Sequence, residues 1–176
     1  CLSEDEPYEE KRMIDYSADE ISTQEARQLI AALNEKLKTS EYELHPGVSY
    51  RHCLIIHNCG TNMTLAKPHN ITNELIKDHL PKGEKSDLLL NLMKQSHEIL
   101  KNHPVNIARK ERGLKPANSL WLWGQGSKPN LPSFKEKYGL NAAMITAVDL
   151  LRGIARCADM RIMEVEGATG NLHTNF

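Results

Sequence analysis

The sequence predicts an α/β fold, a single domain with a mixed, partly antiparallel sheet covered by helices. Three observations carry this. Two long stretches show apolar residues at helical spacing, an apolar run beside His45-Pro46-Gly47 has the pattern of a hairpin, and the second half alternates short strands with helices. At 176 residues the chain is long enough to bury a core without disulfide or metal staples.

The acidic opening Ser3-Glu-Asp-Glu-Pro-Tyr-Glu-Glu10 reads as a solvated loop. Ser22-Thr-Gln-Glu25 then matches a capping box, and Ala26, Leu29, Ile30, Leu33 and Leu37 follow on one face, so a helix is predicted from about Thr23 to Lys38. Tyr42 to Leu44 and Val48 to His57 flank the Pro-Gly turn and predict two antiparallel strands. A short helix is expected from about Thr72 to His79, stopped by Pro81 and Gly83. Ser86-Asp87 should cap the longest helix, running to about His103 with Leu89, Leu92, Met93, Ser96 and Leu100 inside, and helix resumes from Val105 to Arg112.

Strands are predicted at Ser119 to Trp123, Ala142 to Thr146 and Arg161 to Val165, with helices at Ser133 to Tyr138 and Asp149 to Cys157. Thr146 is placed to cap the last of these, with Asp149 in its first turn. Trp121 and Trp123 lie two apart, hence on one strand face, and read as anchors of the main core.

Composition excludes several function classes. Formal net charge is −1, which argues against a nucleic-acid footprint. No run reaches the roughly 18 apolar residues of a membrane span, and no secretory leader pattern opens the chain. Cys1, Cys53, Cys59 and Cys157 form no C-x-x-C pair and read as free thiols of a cytoplasmic protein. His45, His79, His97, His103 and His173 have no second ligand at usable spacing, and His52 and His57, five apart on a strand, face opposite ways, so no zinc site is expected.

Candidate binding residues are cationic or sit in polar loops. Gly124-Gln-Gly-Ser-Lys128 follows a strand and offers Gly-freed backbone N–H groups, the Gln125 amide and the Lys128 ammonium, all suited to an anion, although an ordinary turn has the same spacing. Strand alternation sends Arg51 to the face opposite Tyr50 and His52, where it could clamp a carboxylate or phosphate or pair with a surface acid; His52 reads equally as a ligand group or a satisfied core histidine. His69 lies in the Pro68-His69-Asn70 loop, where it could donate to a phosphate or shuttle a proton. Asp15 could orient an arginine or hydroxyl, or cap the nearby helix. Arg152 could reach a ligand with Asp149 holding it, or form only a local pair with Asp149.

Several stretches, taken in order, carry a resemblance: Met13-Ile-Asp-Tyr-Ser-Ala-Asp-Glu-Ile-Ser22, Gly47-Val-Ser-Tyr-Arg-His52, Lys67-Pro-His-Asn-Ile-Thr72, Trp121-Leu-Trp-Gly-Gln-Gly126, Ala147-Val-Asp-Leu-Leu-Arg-Gly-Ile154 and Glu166-Gly-Ala-Thr-Gly170. Together they resemble the archaeal-type, cofactor-independent phosphoglycerate mutases of the alkaline phosphatase superfamily, over nearly the whole chain. The resemblance implies an isomerase that interconverts 3-phosphoglycerate and 2-phosphoglycerate through a phosphoserine, with two divalent metal ions (Mn, Zn or Mg).

The family's N-terminal metal-binding Asp, its Ser nucleophile and its Asp/His metal cluster would lie outside this segment. The chain begins at Cys1 and stops after a Gly-Ala-Thr-Gly loop, and reads as an excised insertion domain that holds the substrate and closes over a phosphatase-like core of the same polypeptide. On that reading no catalytic residue or metal ligand belongs to this chain. Arg51, His69, Lys128, Gln125, Asp15, Arg152 and His52 are its substrate-binding candidates. Two rivals stand beside it: a domain of another enzyme of that superfamily acting on a different phosphate or phosphonate ester, and a non-catalytic anion-binding module.

Overall fold

The computed structural model describes residues 1–170, 174 and 175; His173, one of the histidines considered above as a ligand, lies outside the described residues. The fold is mixed α/β, with both antiparallel and parallel strand pairs. Backbone contacts divide it into two compact units, Cys1–Gly126 and Ser127–Phe176.

In the first unit, helix α1 (Thr23–Leu37) starts where Ser22 accepts a hydrogen bond from the Glu25 N–H at 3.2 Å. Its buried residues are Ala26, Leu29, Ile30, Leu33 and Leu37, the stripe expected from the periodicity. This face packs on a hairpin of β1 (Tyr42–Pro46) and β2 (His52–Ile56), in which Leu44 pairs with Leu54. Helix α2 (Ser86–Leu100) buries Leu89, Leu92, Met93, Ser96, His97 and Leu100. The expected cap is corrected: Lys85, at φ +58°, is the cap residue and supplies no side-chain bond, while Asp87 lies inside the first turn, where the helix dipole favours it.

The long helix ends at Leu100. Helix α3 (Pro104–Glu111) begins afresh because His103 Nδ1 accepts from the Val105 N–H and Pro104 fits the first helical position. The expected helix before Pro81 is a 3₁₀ turn, Ile76–His79, and a ribbon of β3 (Met63–Thr64) with β4 (Lys82–Gly83) completes the regular elements of this unit. Ala18, Ile21, Leu44, Leu100 and Val105 join the α1 stripe in the main core, and Leu2, Met13, Ile71 and Ile76 form a second cluster.

Ser119 to Trp123 is not a strand. The stretch is extended, but its bonds go to side chains. Leu120 N–H donates to Ser96 Oγ at 2.8 Å, His97 Nδ1 donates to the Asn118 carbonyl at 2.8 Å, Asn118 clasps both backbone groups of Leu2 at 2.8 Å, and Trp121 Nε1 donates to the Ala66 carbonyl at 2.9 Å. Buried Ser, His and Asn do here what a neighbouring strand would otherwise do.

The second unit is a β-α-β arrangement. Helix α4 (Phe134–Tyr138) precedes β5 (Ala143–Met144), which pairs in parallel with β6 (Arg161–Ile162) across helix α5 (Asp149–Cys157). Thr146 Oγ1 accepts from the Val148 N–H at 3.1 Å, a turn just ahead of α5 rather than a cap on it. Of the residues in α5 only Ala155 is buried, while Leu150, Leu151 and Ile154 are exposed.

Candidate functional site

The segment leading into α1 has an uncommon backbone. Ala18, Asp19 and Glu20 are consecutive L-residues at φ +50°, +52° and +51°, a left-handed turn that costs roughly 1–2 kcal/mol per residue. Such a conformation persists only where its surroundings hold it. Asp15 accepts from the Ser17 N–H and hydroxyl, both at 2.8 Å, and from the Asp19 N–H at 2.9 Å, while Ser17 Oγ accepts from the Glu20 N–H at 3.2 Å.

A second group of contacts arrives from the far side of α3. Arg109, 2% exposed, donates to the Ala18 carbonyl, to Glu25 at 2.8 Å and to the Lys115 carbonyl at 3.0 Å. Lys115 donates its N–H to Asp19 at 2.7 Å and its ammonium to Asp19 at 2.6 Å and Asp15 at 3.2 Å. Asp15 is therefore the capping group of this turn.

Partial burial pushes the Asp15 carboxyl upward, but the Asp19 and Ser17 N–H groups, the Ser17 hydroxyl and the Lys115 ammonium outweigh it and hold the carboxyl well below the ordinary range. A carboxyl depressed in the folded state binds its proton more weakly there than in the unfolded chain. Its stabilisation is thus full above the unfolded value of about 3.9 and is lost as pH falls toward the depressed folded value. Asp15→Asn should accordingly lower stability at pH 7 and flatten its fall between about pH 4 and pH 2. Urea denaturation across that range checks this; parallel curves for the two proteins would remove Asp15 as the source.

The turn presents Tyr16 to a run of touching rings. Tyr16 meets Tyr50 edge-on at 5.7 Å and His69 at 6.1 Å, and His69 meets Trp123 at 5.5 Å. Arg51 closes the other end, its guanidinium 4.6 Å from the Tyr50 ring centre and donating to the Tyr50 hydroxyl at 3.0 Å. Arg51, His69 and Asp15 are thus brought to one surface, with two exposed nitrogen-bearing groups set on an aromatic row. Such a row can orient cations without burying them, leaving their remaining N–H groups for an anion.

Two expectations are corrected here. Arg51 lies on the same side as Tyr50, because it precedes β2 in a tight turn with its N–H bonded to the Val48 carbonyl and Ser49 at φ +56°, where strand alternation does not apply. Trp123 is 48% exposed and belongs to the row rather than the core, while Trp121 packs beside the second cluster.

The other predicted residues are placed as follows. His52 is turned into the hairpin, where Nδ1 accepts from the Gly47 N–H at 3.2 Å, and burial pushes its pKa down. Gln125 donates to the Met63 carbonyl at 2.6 Å and so ties the Gly-rich loop to β3; Gly124 in that loop sits at φ +70° with open space around it. In the second unit Lys128 is exposed. Arg152 makes a bidentate pair with Glu164, so the Asp149 partner is corrected to an acid just beyond β6.

Sequence reasoning missed Arg109, Lys115, Tyr16 and Tyr50. Arg109 had a readable signal, since it lies four residues after Val105 and so on the buried face of a helix, where an unpaired charge is not tolerated. Among the described residues no group of three His, Cys, Asp or Glu side chains could hold a metal ion, and no helix is long and apolar enough to cross a membrane.

The family model for 2,3-bisphosphoglycerate-independent phosphoglycerate mutase matches residues 2–106, which include Asp15, Arg51, His52 and His69. Among curated relatives, a probable mutase of this name from Geobacter sulfurreducens is 49% identical over 93% of this chain and 41% of its own length. One from Methanosarcina barkeri is 47% identical over 96% of the chain and 42% of its own length. The solved cofactor-independent phosphoglycerate mutase of Thermoplasma acidophilum superposes with a TM-score of 0.58 at 22% identity, covering 89% of this chain and 44% of that one. A Pyrococcus horikoshii protein gives 0.66 at 24%, covering 93% and 39%. These two likenesses concern the fold, and the chain spans about two fifths of the length of the curated relatives it matches.

Proposed function

Because this chain belongs to the 2,3-bisphosphoglycerate-independent phosphoglycerate mutases, we propose that it is the substrate-holding part of a metal-dependent isomerase interconverting 3-phosphoglycerate and 2-phosphoglycerate in the cytoplasm. The observation that carries this is the row joining Arg51 to His69 inside the matched region. A three-carbon acid phosphate has two anionic ends, and binding it calls for guanidinium and imidazole donors held in fixed directions. Lys128, in the second unit, is a candidate by residue type alone, and Arg51 and His69 are the binding groups of this reading. Asp15 shapes the turn beneath them, Gln125 holds the Gly-rich loop, and His52 and Arg152 are supports engaged within the protein.

The nucleophile and the two divalent ions implied for the whole enzyme belong, on this reading, to the remaining length of the polypeptide. The contribution of this chain is to orient the substrate and exclude water, which keeps a transferred phosphoryl group from hydrolysis. The full-length polypeptide should interconvert the two phosphoglycerates without added 2,3-bisphosphoglycerate, and the 176-residue chain should give no turnover. Turnover by the chain alone overturns the reading. Hydrolysis of other phosphate esters without isomerisation by the full-length protein moves it to another enzyme of the superfamily.

The partner is the rest of the same polypeptide, meeting the apolar face of the second unit. Leu150, Leu151 and Ile154 on α5 are exposed together with Ile145, Val148 and Val165, and a two-stranded parallel pair is a form that proteins otherwise bury on both faces. Relatives more than twice this length contain the chain needed to cover it. Leu150 is 71% exposed, so Leu150→Glu should shift the stability of this chain by less than about 0.5 kcal/mol, yet lower the melting temperature of the full-length protein by several degrees. Equal effects in both proteins, or self-association of the chain through this face, would count against that partner.

A further inference from the structure

We propose that Tyr16 is a positioning residue that sets Arg51 and His69 at a fixed relation to one another, an inference that rests on the binding role just given to those two groups. The three side chains come from separate pieces of the fold: Tyr16 from the turn before α1, Arg51 with Tyr50 from the turn before β2, and His69 from the 3₁₀ turn Pro68–Asn70. Backbone bonds tie the first and third pieces further back, where Met13 N–H donates to the Glu74 carbonyl at 3.1 Å and Asn73 N–H to the Met13 carbonyl at 2.7 Å, and Ser49 ties the second to the start of α1 by donating its hydroxyl to the Ile21 carbonyl at 2.7 Å; beyond these ties the Tyr16 ring meets both other pieces, edge-on to Tyr50 at 5.7 Å and to His69 at 6.1 Å. Tyr50 in turn carries Arg51 through its hydroxyl and its ring face.

Burial does not account for Tyr16. Its residue is 44% exposed, and it belongs to neither hydrophobic cluster. Its backbone is nonetheless among the most firmly held at the surface, since Asp15 and Ser17 on either side of it make the capping bonds of the left-handed turn, and Lys115 and Arg109 tie that turn to the exit of α3. A rigid mount beneath an exposed ring is what a spacer between two binding groups requires. Both contacts are T-shaped ring pairs, at interplanar angles of 73° and 74°, a geometry that does not call on the phenolic hydroxyl.

Two measurements test it. In the 176-residue chain, ¹H–¹³C and ¹H–¹⁵N spectra of Tyr16→Ala should move both the His69 ring and the Arg51 Nε–H signals, while Tyr16→Phe leaves them near their wild-type positions. In the full-length enzyme, Tyr16→Ala should lower kcat/KM about five- to twentyfold, and Tyr16→Phe should recover most of that loss. The Tyr16→Ala effect should shrink to about twofold in the Arg51→Ala or the His69→Ala background, because a spacer has nothing left to position once one of its two loads is gone.

Unchanged His69 and Arg51 signals in Tyr16→Ala overturn the inference whatever the kinetics show. So does a Tyr16→Ala loss that multiplies in full with both partners, which would make Tyr16 an independent contact. Equal loss in Tyr16→Phe and Tyr16→Ala assigns the role to the hydroxyl and overturns it as well. If Arg51→Ala and His69→Ala both leave kcat/KM within twofold, the binding reading itself falls and takes the inference with it, an outcome the spectra distinguish from failure of the spacer alone.

Discussion

Arg109→Ala is expected to destabilise the first unit by about 3 kcal/mol, the lower end of what removing one partner from a buried ion pair costs, because the guanidinium is buried and Glu25 is partly exposed. The guanidinium satisfies the Ala18 carbonyl, the Lys115 carbonyl and Glu25 while only 2% exposed, so its loss strands two carbonyl oxygens and leaves a cavity. Glu25 keeps Arg112, which limits the damage on that side. At this chain length the change amounts to a fall in melting temperature on the order of 10 °C. Arg109→Lys should recover little, since one ammonium cannot span three acceptors that a planar fork reaches together. A loss below about 1 kcal/mol by urea denaturation would mean that water enters and replaces the fork.

Arg51→Ala should have the opposite profile. The side chain is exposed and rests on the Tyr50 ring, so folding should be nearly indifferent to its removal. In the full-length enzyme a lost charge-assisted contact to an anion costs roughly 1.5–3 kcal/mol, about ten- to a hundredfold in kcat/KM. His69→Ala and Lys128→Ala should act in the same direction to a smaller extent. If kcat/KM stays within twofold while the melting temperature falls, Arg51 is a structural residue and the binding role passes to its neighbours.

The contrast between Arg109 and Arg51 marks what could be read in the residues and what could not. Periodicity located α1 with its whole buried stripe, and the first-turn carboxylate Asp149 placed the start of α5, because those signals are local. The hairpin was legible but its turn was misplaced: His45 and Pro46 were expected in the turn and instead lie in β1, with Pro46 opposite His52, so the turn falls between Pro46 and His52 and the second strand starts at His52 rather than Val48. Ser119 to Trp123 was not legible, because apolar alternation reports a pleated, half-buried backbone and says nothing about whether a strand or a set of buried Ser, His and Asn side chains supplies its hydrogen bonds.

The candidate site divides in the same way. Arg51 and His69 were singled out by residue type and resemblance, and the structure joins them. The rings that join them, Tyr16 and Tyr50, were invisible, since they are far apart along the chain and lone surface aromatics carry no period. Arg152 was read either as a ligand group held by Asp149 or as its local partner, because pairs three or four apart are what a single helix displays; Glu164 lies beyond the helix, across a turn that only the fold brings back.

The left-handed turn at Ala18 to Glu20 also governs the order in which the molecule assembles. Besides the local bonds of Asp15 and Ser17, it has fastenings that reach it from 91 and 96 residues away along the chain, at Arg109 and Lys115, and each of these closes a long loop before any energy is returned. The local bonds can form early, whereas the bonds from Arg109 and Lys115 require that α3 and its exit have docked, and on loop-closure grounds they are expected to form late. Contacts made that late are absent from the folding transition state, so weakening them should speed unfolding and leave folding unslowed. A chevron for Lys115→Ala with only its unfolding limb raised would show it. The lifetime of the aromatic row would then be set by how long this last fastening stays closed, and a surface that takes its shape at the end of folding is also the first to lose it.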